Sequence, residues 1–472
     1  MVVGLLAGAL VAYVILNDGR WPLNRASEQE TSASAEQGGG SSSEDARIPK
    51  DGAKSAKNSA GGSESPADGE STSSKSPRHK DSAVAERAGY LPPLSALASP
   101  PDWSELDRWQ RRITQSDFRD MLENVYTVSP VWRAYFYIGE KDVLIETGIP
   151  DKPYRLRFAT PGKERVNPRK WRKPGEMGSA PEGKPLYGVK IAIDPGHLGG
   201  QWGKMEARWF QIGEQTPVQE GDMTLLVAKL LLPRLKALGA EVTLVRENAE
   251  PVTNMRPETI LTTLNDTDAD SPAQLAQKLF YRTSEIRARA DLVNEVIEPD
   301  LVLCLHFNAE AWGDPSNPTL VNRHHFHLIL NGAYTDDELA MADQRHQMLR
   351  RMLQGTHQEE VALGKAMAEA FVEKTQLPPY LYEVNSKSAL NVDGNPYLWA
   401  RNLLANRLYD APVVFLEPYV MNSHTDHERI QAGDYEGERV VGGKAQPSIF
   451  REYADAVTQG LEDYYREARP ES

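Results

Sequence analysis

The C-terminal part of this sequence predicts an α/β fold, with a mostly parallel, twisted sheet and helices on both faces. Three apolar segments of strand-like character occur at 189–193, 241–245 and 301–305. The stretches between them carry apolar residues at helical spacing. Because a helix between two strands returns the chain to the same edge of the sheet, this order predicts parallel strands. Such sheets bind ligands at their carboxyl edge, so a functional site is expected there.

The first of these strands ends in an abrupt turn that carries an acidic residue and a histidine. Apolar residues alternate along 189–193, and Pro195 and Gly196 then stop the strand. The turn presents Asp194 and His197. A lone histidine in such a turn is more often structural or solvated, so its interpretation depends on residues elsewhere in the chain.

A glutamate opens the helix that follows. Apolar residues recur at helical spacing from Leu225 to Leu231, and Gly239 closes the helix. Glu220 lies in its first turn, where the helix dipole favours an acidic side chain by about 0.3–1 kcal/mol. The second interpretation of Glu220 is a metal ligand that faces His197.

Two further strands end in polar residues. The segment 301–305 leads into His306 and Asn308, and the apolar run 413–416 leads into Glu417. Strand-terminal glutamates are commonly solvated, which is the alternative to a functional role for Glu417. Both segments nevertheless bring polar side chains to the carboxyl edge of the predicted sheet.

His197, Glu220 and His306 are therefore expected to converge. Two imidazoles and one carboxylate, with a fourth position left to water, form a known set of ligands for one catalytic zinc ion. Zinc lowers the pKa of a bound water to about 7, which makes it a usable nucleophile. Glu417, which is not needed as a ligand, is then the candidate that accepts the proton of the water and passes it to the leaving amine. Asp194 is expected to orient the turn that carries His197.

Five stretches resemble, in the family's order, the motifs of the zinc-dependent N-acetylmuramoyl-L-alanine amidases of the amidase_3 type. They are IAIDPGH, EGDMTLLVAKLL, RADLVNEV, LCLHFNA and VVFLEPYVMN, and the resemblance covers roughly residues 187–467. It implies that His197, Glu220 and His306 bind zinc and that Glu417 is the catalytic acid/base. It also matches Arg289 and Asn294 to the family's Arg and Asn on the helix before the second histidine. These two residues, with Asp194 and Asn308, are predicted to support the ligands or to bind substrate.

The sequence departs from the family pattern at two places. The family has a glycine after its first histidine where this chain has Leu198, and the stretch before Glu220 is longer than usual, so Glu206 and Glu214 are alternative ligands. We prefer Glu220 because only it opens the apolar helix. After Glu417, Pro418 and Tyr419 replace a small residue and Gly-Phe, and Asn422 comes one place early, which predicts a different substrate groove.

The segment 311–359 is longer than the core sheet requires. It contains His324, His325 and His327 on a strand, and we interpret these histidines as structural because no third partner for a metal is evident in the sequence. Arg401 and Arg407 lie further along the chain. The sequence is equally consistent with binding of a substrate carboxylate by these arginines and with a position on the surface of a helix.

Composition excludes some classes of function and divides the chain. The net charge of −14 argues against a nucleic-acid partner. Cys304 is the only cysteine, so no intramolecular disulfide forms, and its apolar neighbours predict a buried side chain.

The apolar run 2–16 is typical of a signal peptide, with an uncleaved membrane anchor as the alternative. The predicted segments are a signal peptide or anchor (1–20), a low-complexity disordered linker (21–89), a small α+β module (90–160), a linker (161–186) and the catalytic domain (187–468).

These observations predict an exported zinc hydrolase of the periplasm or cell envelope. Its expected substrate and partner is peptidoglycan, in which it would cleave the amide between N-acetylmuramic acid and L-alanine. The alternatives are another zinc peptidase of the wall, such as a carboxypeptidase, and a peptidoglycan-binding protein without catalysis.

Overall fold

The computed structural model describes residues 92–264, 271–383 and 386–469. The predicted signal peptide or anchor and the predicted low-complexity linker lie outside these residues. Within the described ranges, none of the helices combines the length and the apolar character needed to cross a membrane.

Strands in the described residues are numbered in chain order. They are β1 (Phe136–Ile138), β2 (Asp142–Ile145), β3 (Tyr154–Arg157), β4 (Lys190–Pro195), β5 (Trp209–Phe210), β6 (Val218–Gln219), β7 (Glu241–Leu244), β8 (Leu301–Leu305), β9 (Phe326–Asn331), β10 (Leu390–Asn391), β11 (Leu398–Arg401), β12 (Val413–Pro418), β13 (Glu438–Val441) and β14 (Lys444–Pro447).

Helices are numbered in the same way. They are α1 (Gln115–Met121), α2 (Glu220–Ala237), α3 (Pro257–Thr263), α4 (Pro272–Lys278), α5 (Glu285–Leu292), α6 (Asp336–Ala340), α7 (Ala342–Gln354), α8 (Thr356–Thr375), α9 (Leu404–Leu408), α10 (His424–Gln431) and α11 (Ile449–Ala468). Wider, π-type turns join α4 to α5 and extend α5 at its end.

Seven strands form the central sheet, in the order β10-β11-β9-β12-β8-β4-β7. Four of the six strand pairings are parallel, and β12 with β9 and β10 with β11 are antiparallel. The predicted α/β class with a mostly parallel sheet is thus confirmed. The strands β4, β8 and β12 lie side by side in the same direction, so their carboxyl ends meet at one edge.

Alternate residues of the strands pack into two apolar layers. Ile191 and Ile193 of β4 face the layer that contains α2, α8 and α11, whereas Ala192 faces the layer beneath α5. Cys304 is fully buried in this second layer, as its neighbours predicted. Both faces of the sheet are therefore covered by helices, as the continuous apolar character of these strands requires.

The strands β1–β3 form a separate antiparallel sheet that packs on the long insertion after β9. Phe118 and Trp109 share an apolar cluster with Leu349 and Met352 of α7. The backbone pairs as well, because the amide of Tyr334 donates to the carbonyl oxygen of Tyr126 at 2.8 Å. Within 311–359, the part that includes α7 is thus a docking surface for these N-terminal elements.

His346 on α7 lies at this contact. Its ring meets Trp103 edge-on, with 5.3 Å between the ring centroids, and the residue is 5% exposed. Burial and the nearby charge of Arg350 lower the pKa of His346 to about 4. The folded protein therefore keeps this imidazole neutral where an unfolded chain would protonate it.

We predict that the free energy of unfolding falls as the pH drops from about 6.5 to about 4, because the unfolded chain binds a proton that folded His346 does not. This stabilisation is complete above about pH 6.5 and is lost through about pH 4, and it amounts to about 3 kcal/mol at most. Chemical unfolding at several pH values should give a shallower slope for His346→Phe than for the wild type. His357, whose pKa burial also lowers to about 4, supplies part of the slope that remains. Equal slopes for the two proteins would contradict the assignment.

Candidate metal centre

Three of the residues selected from the sequence meet at the carboxyl edge of the sheet. Glu220 Oε2 lies 3.3 Å from Nε2 of His197, and Glu220 Oε1 lies 3.1 Å from Nδ1 of His306. One donor atom from each residue lies within 4.8 Å of the others. Histidine nitrogens and a carboxylate oxygen are ligands that zinc takes at about 2.0–2.2 Å, so this donor set fits zinc in kind.

The protonation of His197 and Glu220 also suits a metal. Burial lowers the pKa of His197 well below its usual value, so its imidazole is neutral. Burial acts to raise the pKa of Glu220, but the two imidazoles and Arg208 outweigh it and lower that pKa to about 2. Metal binding needs deprotonated ligands, and both groups are deprotonated at neutral pH.

The backbone of His197 is held in an unusual conformation. Its φ is 58°, in the left-handed region that residues other than glycine rarely adopt. Arg289 donates to the carbonyl oxygens of Pro195 at 2.9 Å and of His197 at 3.0 Å. Arg246 also donates to the carbonyl oxygen of Pro195, at 3.0 Å. Two guanidinium groups thus fix the turn that presents the imidazole.

Asp194 acts on this turn through Arg289. Its carboxylate accepts from Arg289 Nη1 at 2.9 Å and from the Tyr409 hydroxyl. Glu285 binds the same guanidinium at 2.7 Å. Although burial works to lower it, the two carboxylates raise the pKa of Arg289 above its usual value. The structure thus places Asp194 and Arg289 beneath the His197 turn.

Space and stacking fix the second imidazole. A Cβ at Gly196 would lie 2.3 Å from Cε1 of His306, so only glycine leaves room for the ring there. On β12, Phe415 stacks on His306, with 4.4 Å between centroids and 13° between planes. The amide of Phe307 donates to Glu220 at 3.1 Å and ties the carboxylate to the same strand end.

The two alternative glutamates lie outside this cluster. Glu206 is buried, accepts from the amide of Leu198 at 2.9 Å, and lies 3.9 Å from Nδ1 of His197, on the outer side of that ring. Burial raises the pKa of Glu206 to about 7. Glu214 is exposed. Glu220 therefore supplies the carboxylate of the cluster, whereas Glu206 binds the backbone of the His197 turn and lies too far from the His197 ring for a hydrogen bond.

Glu417 lies one strand beyond His306. The amide of His306 donates to the carbonyl oxygen of Leu416, in line with the parallel register of β8 and β12. This register places Glu417 beside His306. The hydrogen bond that His306 donates to Glu220 and the charge of Glu417 raise the pKa of His306, against the effect of burial. The second carboxylate is therefore close to the cluster without belonging to it.

Neither predicted asparagine contacts the three donors in the described structure. Asn294 binds the carbonyl oxygen of Leu408 and the amide of Asp410, both at 2.8 Å, and so braces the loop that carries Tyr409. The side chain of Asn308 accepts from the neighbouring amide of Ala309 at 2.7 Å.

Three residues of the centre were not predicted from the sequence. Arg246 lies two residues after the end of β7, so the rule that polar residues near strand ends mark the site would have found it. Arg208, 3.5 Å from Glu220, lies in the long stretch after His197, where no sequence pattern marked it as part of the site. Tyr409 reaches Asp194 across 215 positions of sequence, and no spacing pattern indicated that contact.

We predict that Glu220→Gln weakens zinc binding by more than about 100-fold, because it removes a charged ligand rather than an outer partner. Glu206→Gln should weaken it by less than about tenfold, because Glu206 supports the Leu198 amide and makes no hydrogen bond to the His197 ring. Exposed Glu214→Gln is the matched control and should leave affinity unchanged. Zinc content and competition with a chelator measure all three. Loss of zinc in the control with retention in Glu220→Gln would reverse the assignment.

Gly196→Ala is predicted to weaken zinc binding by at least about tenfold, because Phe415 blocks the retreat of the His306 ring from the added methyl group. Gly178→Ala is the control, since a Cβ there meets nothing within 4 Å. The same chelator titration tests the pair. Equal affinity in Gly196→Ala and the wild type would show that the ring position does not matter.

Comparison with known proteins places the chain in a family. The family model described as N-acetylmuramoyl-L-alanine amidase matches residues 191–441. No curated protein gives a significant match.

Among solved structures, the Ami1 amidase of Mycobacterium abscessus in its apo form is 18% identical, with a TM-score of 0.33. The match covers 59% of this chain and 99% of that amidase. Ami1 of Mycobacterium smegmatis is 16% identical, with a TM-score of 0.33, and covers 60% and 99%. The N-acetylmuramoyl-L-alanine amidase of Clostridium difficile 630 is 14% identical, with a TM-score of 0.33, and covers 59% and 96%. Because the family model spans more than half of the 472 residues, the chain belongs to the N-acetylmuramoyl-L-alanine amidase family.

Proposed function

We propose that this protein is a zinc-dependent amidase that cleaves the bond between the lactyl group of N-acetylmuramic acid and L-alanine in peptidoglycan. Family membership supports the activity and the substrate. The single observation that carries the zinc chemistry is the cluster of His197, Glu220 and His306, whose donor atoms lie within 4.8 Å of one another. A wall substrate supports location in the periplasm or cell envelope, after export by an N-terminal signal or anchor.

One zinc ion, when bound, would polarise the scissile carbonyl and lower the pKa of a water molecule. His197, Glu220 and His306 would hold it, with a fourth position left for water or substrate. Arg289 keeps the His197 turn in place during the reaction, since it binds two carbonyl oxygens of that turn.

Glu417 is the proposed general acid/base. It lies beside His306 and is partly accessible, so it can face both the attacking water and the leaving nitrogen. The carboxylate accepts a proton from the water as the oxygen attacks the carbonyl carbon. The same proton then passes to the amine as the carbon–nitrogen bond breaks, which leaves a free lactyl carboxylate and the peptide.

Glu417→Gln should retain zinc and lose turnover by at least about 100-fold, because the amide accepts no proton. Glu438→Gln, an exposed change of the same kind on β13, is the control and should keep full activity. Zinc content and release of peptide from purified peptidoglycan measure the two effects. Near-normal turnover in Glu417→Gln would remove this residue from the mechanism.

Product analysis separates this proposal from its alternatives. An amidase frees intact stem peptides from the sugar, and mass spectrometry detects them directly. A carboxypeptidase would shorten the peptides without freeing them, and a binding protein without catalysis would leave the wall unchanged.

A further inference from the structure

Tyr409 connects the His197 turn to a distant part of the chain. Its side chain is fully buried, and its hydroxyl donates to Oδ2 of Asp194. Burial and the charge of Asp194 raise the pKa of Tyr409 well above its usual value, so the hydroxyl stays protonated and acts as the donor. The other carboxylate oxygen, Oδ1, accepts from Arg289 at 2.9 Å. Asp194 is thus held by the hydroxyl on one side and binds the guanidinium that fixes the turn on the other.

The hydroxyl of Tyr409 has a clear effect on the carboxylate that it binds. Asp194 is 5% exposed, so water has little access to replace a lost donor. A carboxylate that loses one of its buried donors is free to rotate toward other donors, and its bond to Arg289 then changes as well. The left-handed backbone of His197 is unfavourable and persists only where its surroundings determine it. Loss of the hydroxyl should therefore loosen the turn.

The backbone that carries Tyr409 is held by the last turns of α7. Nη1 of Arg351 donates to the carbonyl oxygens of Tyr409 and of Ala411, the latter at 2.8 Å. Nε2 of Gln354 donates to Oδ1 of Asp410 at 2.9 Å. Both residues of α7 are buried. The loop is therefore fixed by α7 through its main chain as well as through a side chain.

One side of α7 is polar and faces the segment that leads to Tyr409. Its polar residues follow the spacing of a single helix face. They are Gln344, Gln347, Arg351 and Gln354. Gln344 accepts from Asn402, and Gln347 accepts from Arg407, each at 2.8 Å. Apolar residues of α7 pack on the N-terminal elements. The helix thus lies between those elements and the segment that ends in Tyr409.

We propose that Tyr409 is a positioning residue of the metal centre and that α7 holds it in place. The hydroxyl orients Asp194, and Asp194 aligns Arg289. Arg289 in turn maintains the backbone conformation that presents His197. This inference rests on the proposed function, because the turn serves the centre only if His197 binds the metal. It gives the insertion after β9, which the core sheet does not require, a role in that centre.

The first test is the zinc affinity of Tyr409→Phe in the full-length protein. This change removes the hydroxyl and keeps the ring in its apolar layer. It should weaken zinc binding by about three- to tenfold, less than the loss of a group that contacts a ligand directly, because Tyr409 acts through two other side chains. Tyr464→Phe is the matched control, since its hydroxyl also donates to a carboxylate, that of Glu359. Competition with a chelator should give the control wild-type affinity. A change below about 1.5-fold in Tyr409→Phe would overturn the proposal.

A double variant tests whether Tyr409 acts through Asp194. Asp194→Asn alone should weaken zinc binding, because the side chain that aligns Arg289 loses its charge. Residues that act through one network have effects that do not add. Tyr409→Phe should therefore weaken zinc binding by less than about 1.5-fold when Asp194→Asn is already present. Two losses that multiply in full would show independent action and would contradict the proposed path.

A second pair of changes tests the role of α7. Arg351 and Glu360 form a buried ion pair, so Arg351→Met is combined with Glu360→Gln, which leaves no uncompensated charge. The combination releases the carbonyl oxygens of Tyr409 and Ala411. It should weaken zinc binding in the same three- to tenfold range. Wild-type affinity in this folded variant would exclude α7 from the positioning of Tyr409.

Amide hydrogen exchange of the metal-free protein separates this inference from the proposed function. The amides of Gly196 and Leu198 donate to the carbonyl oxygen of Leu305 at 2.8 Å and to the carboxylate of Glu206 at 2.9 Å, so their exchange reports opening of the turn. Tyr409→Phe should speed exchange there by about tenfold and leave β11 unchanged.

The outcomes for the two proposals are distinct. A wild type that binds no zinc would refute the zinc centre, whereas faster exchange confined to the turn in Tyr409→Phe would still support the positioning role. Equal exchange at the turn in the two proteins would refute that role. The same acceleration at the turn and in β11 would also refute it, because it would show a general loss of stability instead.

Discussion

The buried guanidinium of Arg289 holds the turn on which the cluster of His197, Glu220 and His306 depends. It donates to the carboxylates of Asp194 and Glu285 and to the carbonyl oxygens of Pro195 and His197. The left-handed backbone at His197 is unfavourable in itself and persists because these bonds determine it. Removal of one partner of a buried ion pair typically costs about 3–5 kcal/mol, because a charge is left uncompensated. The ion pairs of Arg289 below the sheet edge thus maintain the backbone conformation of His197 above it.

The register of the strands determines which side chains meet at the same edge of the sheet. Gly196, His306, Glu417 and His327 come from four adjacent strands and lie in one cross-strand row. The absent side chain of Gly196 makes room for the first imidazole, and strand spacing sets the separation of the others. Because a one-residue slip of β12 would turn Glu417 to the opposite face, the packing of its apolar neighbours also fixes the position of the proposed acid/base.

The fold and the donors were predictable because they depend on local patterns. Strand periodicity indicated where His197, His306 and Glu417 would emerge, and helical periodicity singled out Glu220 over Glu206. The remaining contacts are made by loops, whose sequences have no regular spacing of apolar residues. Tyr409, for example, reaches Asp194 only through the tertiary fold. The contacts of His327 with Tyr380 and Tyr382 also join segments more than fifty residues apart. The docking of the N-terminal elements on α7 likewise joins segments with no shared pattern.

The backbone pairing at the far end of β9 has a mechanical consequence. Just past that strand, Ala333 and Tyr334 donate to the carbonyl oxygens of Val125 and Tyr126, each at 2.8 Å. Tension applied to the chain before residue 92 would act first on α7, because the amide of Ala342 donates to the carbonyl oxygen of Pro93 and Asp343 accepts from the amide of Ser95, each at 2.8 Å. A pull on the N-terminus would therefore load α7, which follows the stretch that pairs with Val125 and Tyr126 at the end of β9.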